Sequence, residues 1–392
     1  MKIAFLIPKL KGGGAERVIS NLSLNLPKEI EQHIIVFERN AVEYSHCAKI
    51  IETNLSSRKS IFRKGINIIL RIIKIREIKN NEKYDVVISF LEGANIVNIF
   101  SRRKEKVIVA LHNYLKENED KLIGKLMSFI IKHSFNKADL IIAVSRQLEK
   151  RLIDEFGIKE NKIKVVYNPI DHKQIELLKY EDIPPEEKAI FNARVIINVG
   201  RIDTIKGQWH LIKAFSIIRK QLENIHLVFL GEGNIESELK DLCTYFGIEK
   251  DVYFLGYKEN PYKYLYNSEI FALSSLSEGF PNVVLEAMAC SLPIVSVDCK
   301  SGPREILEPS LDISETILDT RKSEYGILTP QFDSKVDVNN RKIISEEYEL
   351  ANALIDLLND TPELKKYRRK SEERAHDFYV ESILEKWLEI LG

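Results

Sequence analysis

Two cations in the second half of the chain have the types and spacing to hold a diphosphate, and two carboxylates further on could accept hydrogen bonds from hydroxyls. Arg201 and Lys206 lie in the run 198–207, N-V-G-R-I-D-T-I-K-G. An arginine grips phosphate oxygens through its planar fork, and a lysine acts as a point charge. Held in place, the two could neutralise a phosphate leaving group, work that a metal ion would otherwise do. A pair of solvated surface charges is the plainer alternative. Glu278 and Glu286 stand eight residues apart in the run 274–289, S-S-L-S-E-G-F-P-N-V-V-L-E-A-M-A. Carboxylates there can accept hydrogen bonds from sugar and ribose hydroxyls, while the N–H groups of 282–284 face phosphate. Glu278 could equally be a charge favoured by a helix dipole, and Glu286 a solvated helix position. Val283, Val284, Leu285, Ala287 and Met288 make that helix almost wholly apolar, so the Glu286 carboxylate requires a partner.

A third segment is Gly12-Gly13-Gly14-Ala15-Glu16-Arg17, between an apolar run and the helical pattern 18–26. Glycine lets a backbone approach a ligand closely, and a helix start offers free N–H groups to an anion. The segment is neither G-x-x-x-x-G-K-[ST] nor a clean G-x-G-x-x-G, and a tight strand-to-helix turn would explain it as well.

These segments need strands to position them. Apolar, β-rich runs occur at 3–7, 33–37, 86–90, 107–111, 140–144 and 164–167. The pattern restarts at 195–199, 226–230, 252–255, 270–273, 293–297 and 326–328. Runs buried on both faces and separated by helical stretches predict parallel α/β sheets. Residues 171–189 are polar, carry Pro184-Pro185 and lack an apolar period, which predicts a linker. Two doubly wound domains follow, 1–170 and 190–375, each binding ligands at its strand carboxyl ends. Facing one another, they would place one site in a central cleft. A last helix within 376–392, apolar at Ile383, Leu384, Trp387, Leu388 and Leu391, is expected to pack back toward the first domain.

Composition narrows the function. The chain has 392 residues with 58 Lys+Arg and 58 Asp+Glu, a formal charge of zero that argues against a generic nucleic-acid binder. Residues 1–180 hold 33 Lys/Arg and 21 Asp/Glu, so this half is +12 and the remainder −12. Such a split predicts different partners for the two halves. Cys47, Cys243, Cys290 and Cys299 form no C-x-x-C pair, which speaks against zinc or redox chemistry and fits a reducing cytosol. No apolar run reaches the ~18 residues of a spanning helix. The opening residues 1–8 read as a buried strand, since Lys9 and Lys11 interrupt any signal-peptide pattern.

Together these segments resemble the retaining glycosyltransferases of family 4, which have the GT-B fold of two Rossmann-like domains. Glu278–Glu286 looks like the family's E-x7-E motif in the setting E-G-F-P-x-x-x-L-E-A-M-A. Residues 199–207 match V-G-R-x-D-x-x-K-G, and 13–17 match a G-G-A-E-R loop of members that extend polyprenyl-diphosphate-linked glycans. Residues 88–91 and 301–305 also look like that group. The resemblance implies that Arg201 and Lys206 hold the nucleotide diphosphate, that Glu278 contacts donor-sugar hydroxyls, and that Glu286 contacts the ribose. It assigns Gly256 and Tyr257 to the base, and Gly13 and Gly14 to the phosphate and acceptor. Gly200, Gly279, Phe280, Asn282 and Val283 complete the implied substrate site, and His112 matches a histidine near the donor sugar. His112 is also readable as a simple loop residue. The implied reaction moves a hexose or N-acetylhexosamine from a UDP-sugar with retention, with no metal and no cofactor. No D-x-D motif stands at a suitable place.

Residues 58–79 interleave eight Lys/Arg with isoleucines, and Glu77 is the only acid among them. A basic amphipathic helix predicts contact with an anionic membrane surface through Arg63, Lys64, Arg71 and Lys74. The alternative is a helix that buries its isoleucines on the sheet and solvates its cations. The expected protein is cytoplasmic, peripheral on the inner face of the cell membrane, with a polyprenyl-diphosphate-linked glycan as acceptor and no nucleic acid. Competing readings are a transferase with a soluble acceptor, a sugar-nucleotide epimerase on the same frame, and a non-catalytic polyanion-binding module. The last leaves the carboxylates and cations of the second half unexplained.

Overall fold

The computed structural model describes residues 1–10, 12–38, 44–55, 61–112, 129–299, 301–333 and 335–392, with only the backbone described for 61–65. The chain forms two compact units, Met1–Ile170 with Val380–Gly392, and Asp171–Tyr379.

The first unit holds β1 (Lys2–Ile7), β2 (Glu31–Val36), β3 (Lys49–Glu52), β4 (Val86–Phe90), β5 (Lys106–Leu111), β6 (Leu140–Ala143) and β7 (Ile163–Val165). Their order is β3-β2-β1-β4-β5-β6-β7, and every pairing is parallel. Side chains alternate across a strand, and both faces are covered. Ile3, Phe5 and Ile7 enter one core with Val18 and Leu22, while Ala4 and Leu6 enter another with Ile75, Ile78 and Val97. The helix Val380–Leu391 belongs to this unit and sinks Ile383, Trp387, Ile390 and Leu391 into the first of those cores. Lys106 Nζ donates to Ile390 O at 2.7 Å, placing a cation at that helix's negative end.

The second unit holds β8 (Arg194–Val199), β9 (Ile225–Leu230), β10 (Val252–Phe254), β11 (Ile270–Leu273), β12 (Ile294–Val297), β13 (Arg321–Lys322) and β14 (Ile327–Thr329). Their order is β10-β9-β8-β11-β12-β14-β13, parallel except for the terminal β13. Strands β3 and β13 were not expected. The first is four residues long and half exposed, and the second is two exposed residues, so neither leaves a pattern in the sequence.

The expected linker 171–189 is corrected by the fold, because it belongs to the second unit. Asp171 caps the helix His172–Leu178 by accepting from the Gln174 N–H at 3.0 Å, and Ile175 is buried. Glu187 meets Lys258 Nζ at 2.5 Å and the Tyr264 hydroxyl at 2.6 Å. One buried apolar residue in the helix His172–Leu178 and none in the helix Pro185–Lys188 are too few to register as a period.

The basic helix spans Ile61–Glu82. Its inner face buries Ile75, Ile78 and Lys79. Lys79 is sealed in, pairing with Glu105 at 2.7 Å and donating to Asn98 Oδ1 at 2.8 Å. Burial pushes the Lys79 pKa down to about 8, against the pull of Glu105. Asn98 passes the connection on to Ser89 Oγ at 3.1 Å, near the carboxyl end of β4.

Candidate active site

In each sheet the strand order reverses beside the first strand, between β1 and β4 and between β8 and β11. Such switch points open a crevice at the strand carboxyl ends. In the second unit both predicted motifs emerge there. Lys206 follows β8 and Glu278 follows β11.

The two loops are laced together. Lys206 Nζ donates to Glu278 Oε1 at 2.7 Å, and Ser275 Oγ donates to the same oxygen at 2.6 Å. Ser274 Oγ donates to Lys206 O at 3.0 Å, and the Leu276 N–H to Ile205 O at 2.8 Å. Below them Asn198 Nδ2 donates to Ala272 O at 2.8 Å, joining the strands that flank the switch. Asp203 shapes the turn, since its Oδ1 accepts the N–H groups of Ile205 (3.0 Å) and Lys206 (3.2 Å), an Asx-type turn. Gly207 then starts the helix Gln208–Gln221 at φ +61°, and a Cβ there would stand 2.2 Å from Ser274 O. Only glycine fits that conformation and that spacing. The Lys206 side chain keeps 23% exposure and Glu278 10%, so the pair is shielded yet reachable. Arg201 stands apart from it, highly exposed, with Nη2 3.1 Å from Asp203 Oδ2.

Small residues line the neighbouring strand ends. The Gly200 N–H bonds Leu230 O at 2.9 Å, and the Gly231 N–H bonds Gly256 O at 2.8 Å. A Cβ on Gly231 would lie 2.0 Å from Gly200 O, and one on Gly233 1.8 Å from Ile202 O. Tyr257, next to Gly256, is half exposed. Across the switch, Gly279 O accepts Ser301 Oγ at 2.7 Å. Asn282 and Val283 open the helix Asn282–Ala289, and Glu286 is buried one turn on. The Phe280 side chain is buried 5.5 Å from the Phe378 ring, which leaves its backbone as the part that could meet a ligand. Arg304 and Asp298 form a buried ion pair behind this turn, and Cys299 is pushed well above the usual thiol range by burial and then by Glu278 and Asp298.

In the first unit, Gly13 is the N-cap of the helix Gly14–Asn25. A Cβ on Gly13 would sit 2.2 Å from Glu16 Oε2, so the carboxylate lies over the glycine. His112 follows β5, and its ring stacks on Phe90 at 5.1 Å and 28°. Neither ring nitrogen has a hydrogen-bond partner among the described residues. Burial pushes its pKa down to about 3, so it is a neutral imidazole at physiological pH.

The basic helix divides its predicted cations. Arg71 spends its guanidinium on Leu55 O (3.1 and 2.7 Å) and lies over the Phe37 ring, and Lys74 pairs with Glu77 at 3.0 Å. Arg63 and Lys64 lie on the helix, with side chains outside the described residues. Sequence reasoning missed the outer face, where Ile66, Ile69, Leu70 and Ile73 are exposed at i, i+3, i+4 and i+7. It also missed Ser275, Asp203, Gly231 and Gly233. The last two stood in view as G-x-G directly after an apolar run, the sign of a close backbone approach.

Comparison with known proteins gives the family and the fold. Residues 12–174 match the model of Glycosyltransferase Family 4, and residues 179–312 that of Glycosyl transferases group 1. An uncharacterized glycosyltransferase of Methanocaldococcus jannaschii is 33% identical, over 86% of each chain. The N-acetylgalactosamine-N,N'-diacetylbacillosaminyl-diphospho-undecaprenol 4-alpha-N-acetylgalactosaminyltransferase of Campylobacter jejuni is 30% identical, over 96% of this chain and 95% of that one. Among solved structures, Anabaena Alr3699/HepE in complex with UDP has a TM-score of 0.76 at 20% identity, covering 100% of this chain and 99% of that one. The fold is therefore the GT-B plan of two Rossmann-like domains, and the chain belongs to the glycosyltransferases, with a family 4 domain followed by a group 1 domain.

Proposed function

We propose that this glycosyltransferase moves a hexose or N-acetylhexosamine from a UDP-sugar to a polyprenyl-diphosphate-linked glycan, with retention at the anomeric carbon. The observation that carries the reading is the Lys206–Glu278 pair at the switch point, a cation for the diphosphate beside a carboxylate for sugar hydroxyls. The Campylobacter relative, named for transfer to a diphospho-undecaprenol-linked glycan, supports the acceptor. In this reading the bond from the anomeric carbon to the diphosphate breaks and the acceptor oxygen attacks from the same face. The acceptor proton passes to a leaving phosphate oxygen. Lys206 and Arg201 stabilise the departing charge, which removes the need for a bound metal. Arg201 must exchange Asp203 for phosphate to take part. Glu286 binds the ribose, the backbone around Gly200, Gly256, Gly279 and Asn282 accommodates the nucleotide, and neutral His112 offers one hydrogen bond to the donor sugar. Gly13 and Gly14 face the acceptor.

The acceptor lipid brings the enzyme to the anionic inner face of the membrane. No helix among the described residues is long and apolar enough to cross a membrane. The ridge Ile66, Ile69, Leu70 and Ile73 on a basic helix supports surface contact instead. A thermal-shift screen of UDP, GDP and their sugars tests the donor class. A ligand at 100 times its Kd raises folding stability by about 2.7 kcal/mol. A shift with GDP-sugars and none with UDP-sugars refutes the donor assignment. An unchanged rate in EDTA is expected, and a collapse would refute metal independence.

A further inference from the structure

The helix Gln208–Gln221 carries Lys206 at its entrance, yet its N-cap is a glycine with no side chain to hold it. Its first turn carries His210. The His210 Nδ1 lies 2.6 Å from Glu347 Oε1. Phe332 stacks on the imidazole at 3.9 Å and 14°, and Trp209 lies 4.8 Å away. Lys213, one turn further, brings Nζ to 3.1 Å from the same Glu347 oxygen and donates to Lys342 O at 3.0 Å. The other oxygen, Glu347 Oε2, accepts the Ile344 N–H at 2.9 Å at the start of the helix Ser345–Asn359.

Glu347 is fully buried, and His210 and Lys213 nearly so. Burial lowers the His210 pKa and outweighs the attraction of Glu347, so the ring is neutral and its Nδ1–H donates to the carboxylate. Lys213 and Glu347 then balance in charge. For stability alone, apolar side chains of similar volume would pack as well as such a cluster. Its geometry offers something else. The His210 N–H donates to Gly207 O at 2.9 Å, so His210 is tied both to Glu347 and to the residue bonded to Lys206.

We propose that His210, held by Glu347, is a positioning residue for Lys206, setting the first turn of the helix and so where the lysine meets the donor diphosphate. This rests on the donor-site reading above. The experiment is steady-state kinetics of the full chain below the unfolding midpoint of each variant, with a UDP-sugar and lipid-linked acceptor titrated separately. His210→Ala is expected to lower kcat about tenfold, the scale of a small misplacement of a catalytic group, with the acceptor KM unchanged. His210→Asn, whose amide can donate from nearly the same point, is expected to recover most of that loss. Wild-type kcat for His210→Ala beside a crippled Lys206→Ala overturns the positioning role and leaves the donor site standing. An unimpaired Lys206→Ala overturns both. Failure of His210→Asn to recover activity also overturns the proposal, since the bond to Glu347 would then not matter. Should His210→Ala not fold, His210→Phe keeps the stack on Phe332 and loses the bond, and wild-type kcat for it is equally decisive.

Discussion

Lys206 Nζ and Glu278 Oε1 stand 2.7 Å apart, although 72 residues separate them and they leave the sheet on opposite sides of its switch point. The carboxylate partly neutralises the lysine while no diphosphate is bound. A ligand with two phosphates and a sugar could satisfy both, with phosphate taking the lysine and a sugar hydroxyl the carboxylate.

That division of labour separates nucleotide from sugar. Glu278→Ala removes a negative charge beside the phosphate position, so UDP affinity should hold or rise. Transfer should fall by at least about 10²-fold, the usual loss for one transition-state hydrogen-bond partner. Calorimetric titration of UDP beside a turnover assay checks it, and a large loss of UDP affinity would contradict the assigned role.

Gly207 offers a steric test. With φ at +61° and Ser274 O 2.2 Å from a Cβ, Gly207→Ala must move one of the two laced loops. A forced left-handed residue costs about 1–3 kcal/mol, read as a lower midpoint in urea. Turnover should fall by more than that instability explains, because Lys206 is the adjacent residue.

The proposed membrane contact rests on the outward ridge. Burying an isoleucine side chain in hydrocarbon contributes about 1.5–3 kcal/mol. The double variant Ile69→Ser/Ile73→Ser should therefore bind anionic vesicles at least about tenfold more weakly, while keeping its unfolding midpoint. Sedimentation with neutral and anionic liposomes measures this. Wild-type protein binding neither, or both equally, would refute the surface assignment.

The buried Lys79 gives a pH signature. Its folded pKa is about 8 against an unfolded value of 10.5, so above pH 8 the unfolded state binds more protons than the folded one. Stability from this group accordingly rises with pH through that window. Relative to Lys79→Met, the wild-type chain should gain unfolding free energy between pH 8 and 10. A flat or falling difference in urea titrations would show that Lys79 is not desolvated.

Glycines and charges at the ends of apolar runs marked where the candidate site would lie. Gly12–Gly14, Arg201, Lys206 and Glu278 stand at strand-to-helix turns, where only a few residue types serve, and Glu286 lies in the helix that follows. What stayed hidden depends on tertiary contact. His210 and Glu347 are 137 residues apart, and a lone histidine in an apolar helix carries no mark of its partner. Arg71 looked like a free surface cation, yet its guanidinium is committed to Leu55 O. The isoleucines of 61–82 were visible, but only packing shows that Ile75 and Ile78 go inward while Ile69 and Ile73 stay out.

The most direct test incubates the enzyme with radiolabelled UDP-sugars and a polyprenyl-diphosphate-linked glycan acceptor, and counts label in the organic phase. The account predicts lipid-bound label with the wild-type chain and a loss of at least about 10²-fold in Lys206→Ala, the scale of one lost transition-state donor. Labelling by Lys206→Ala at the wild-type rate would contradict it.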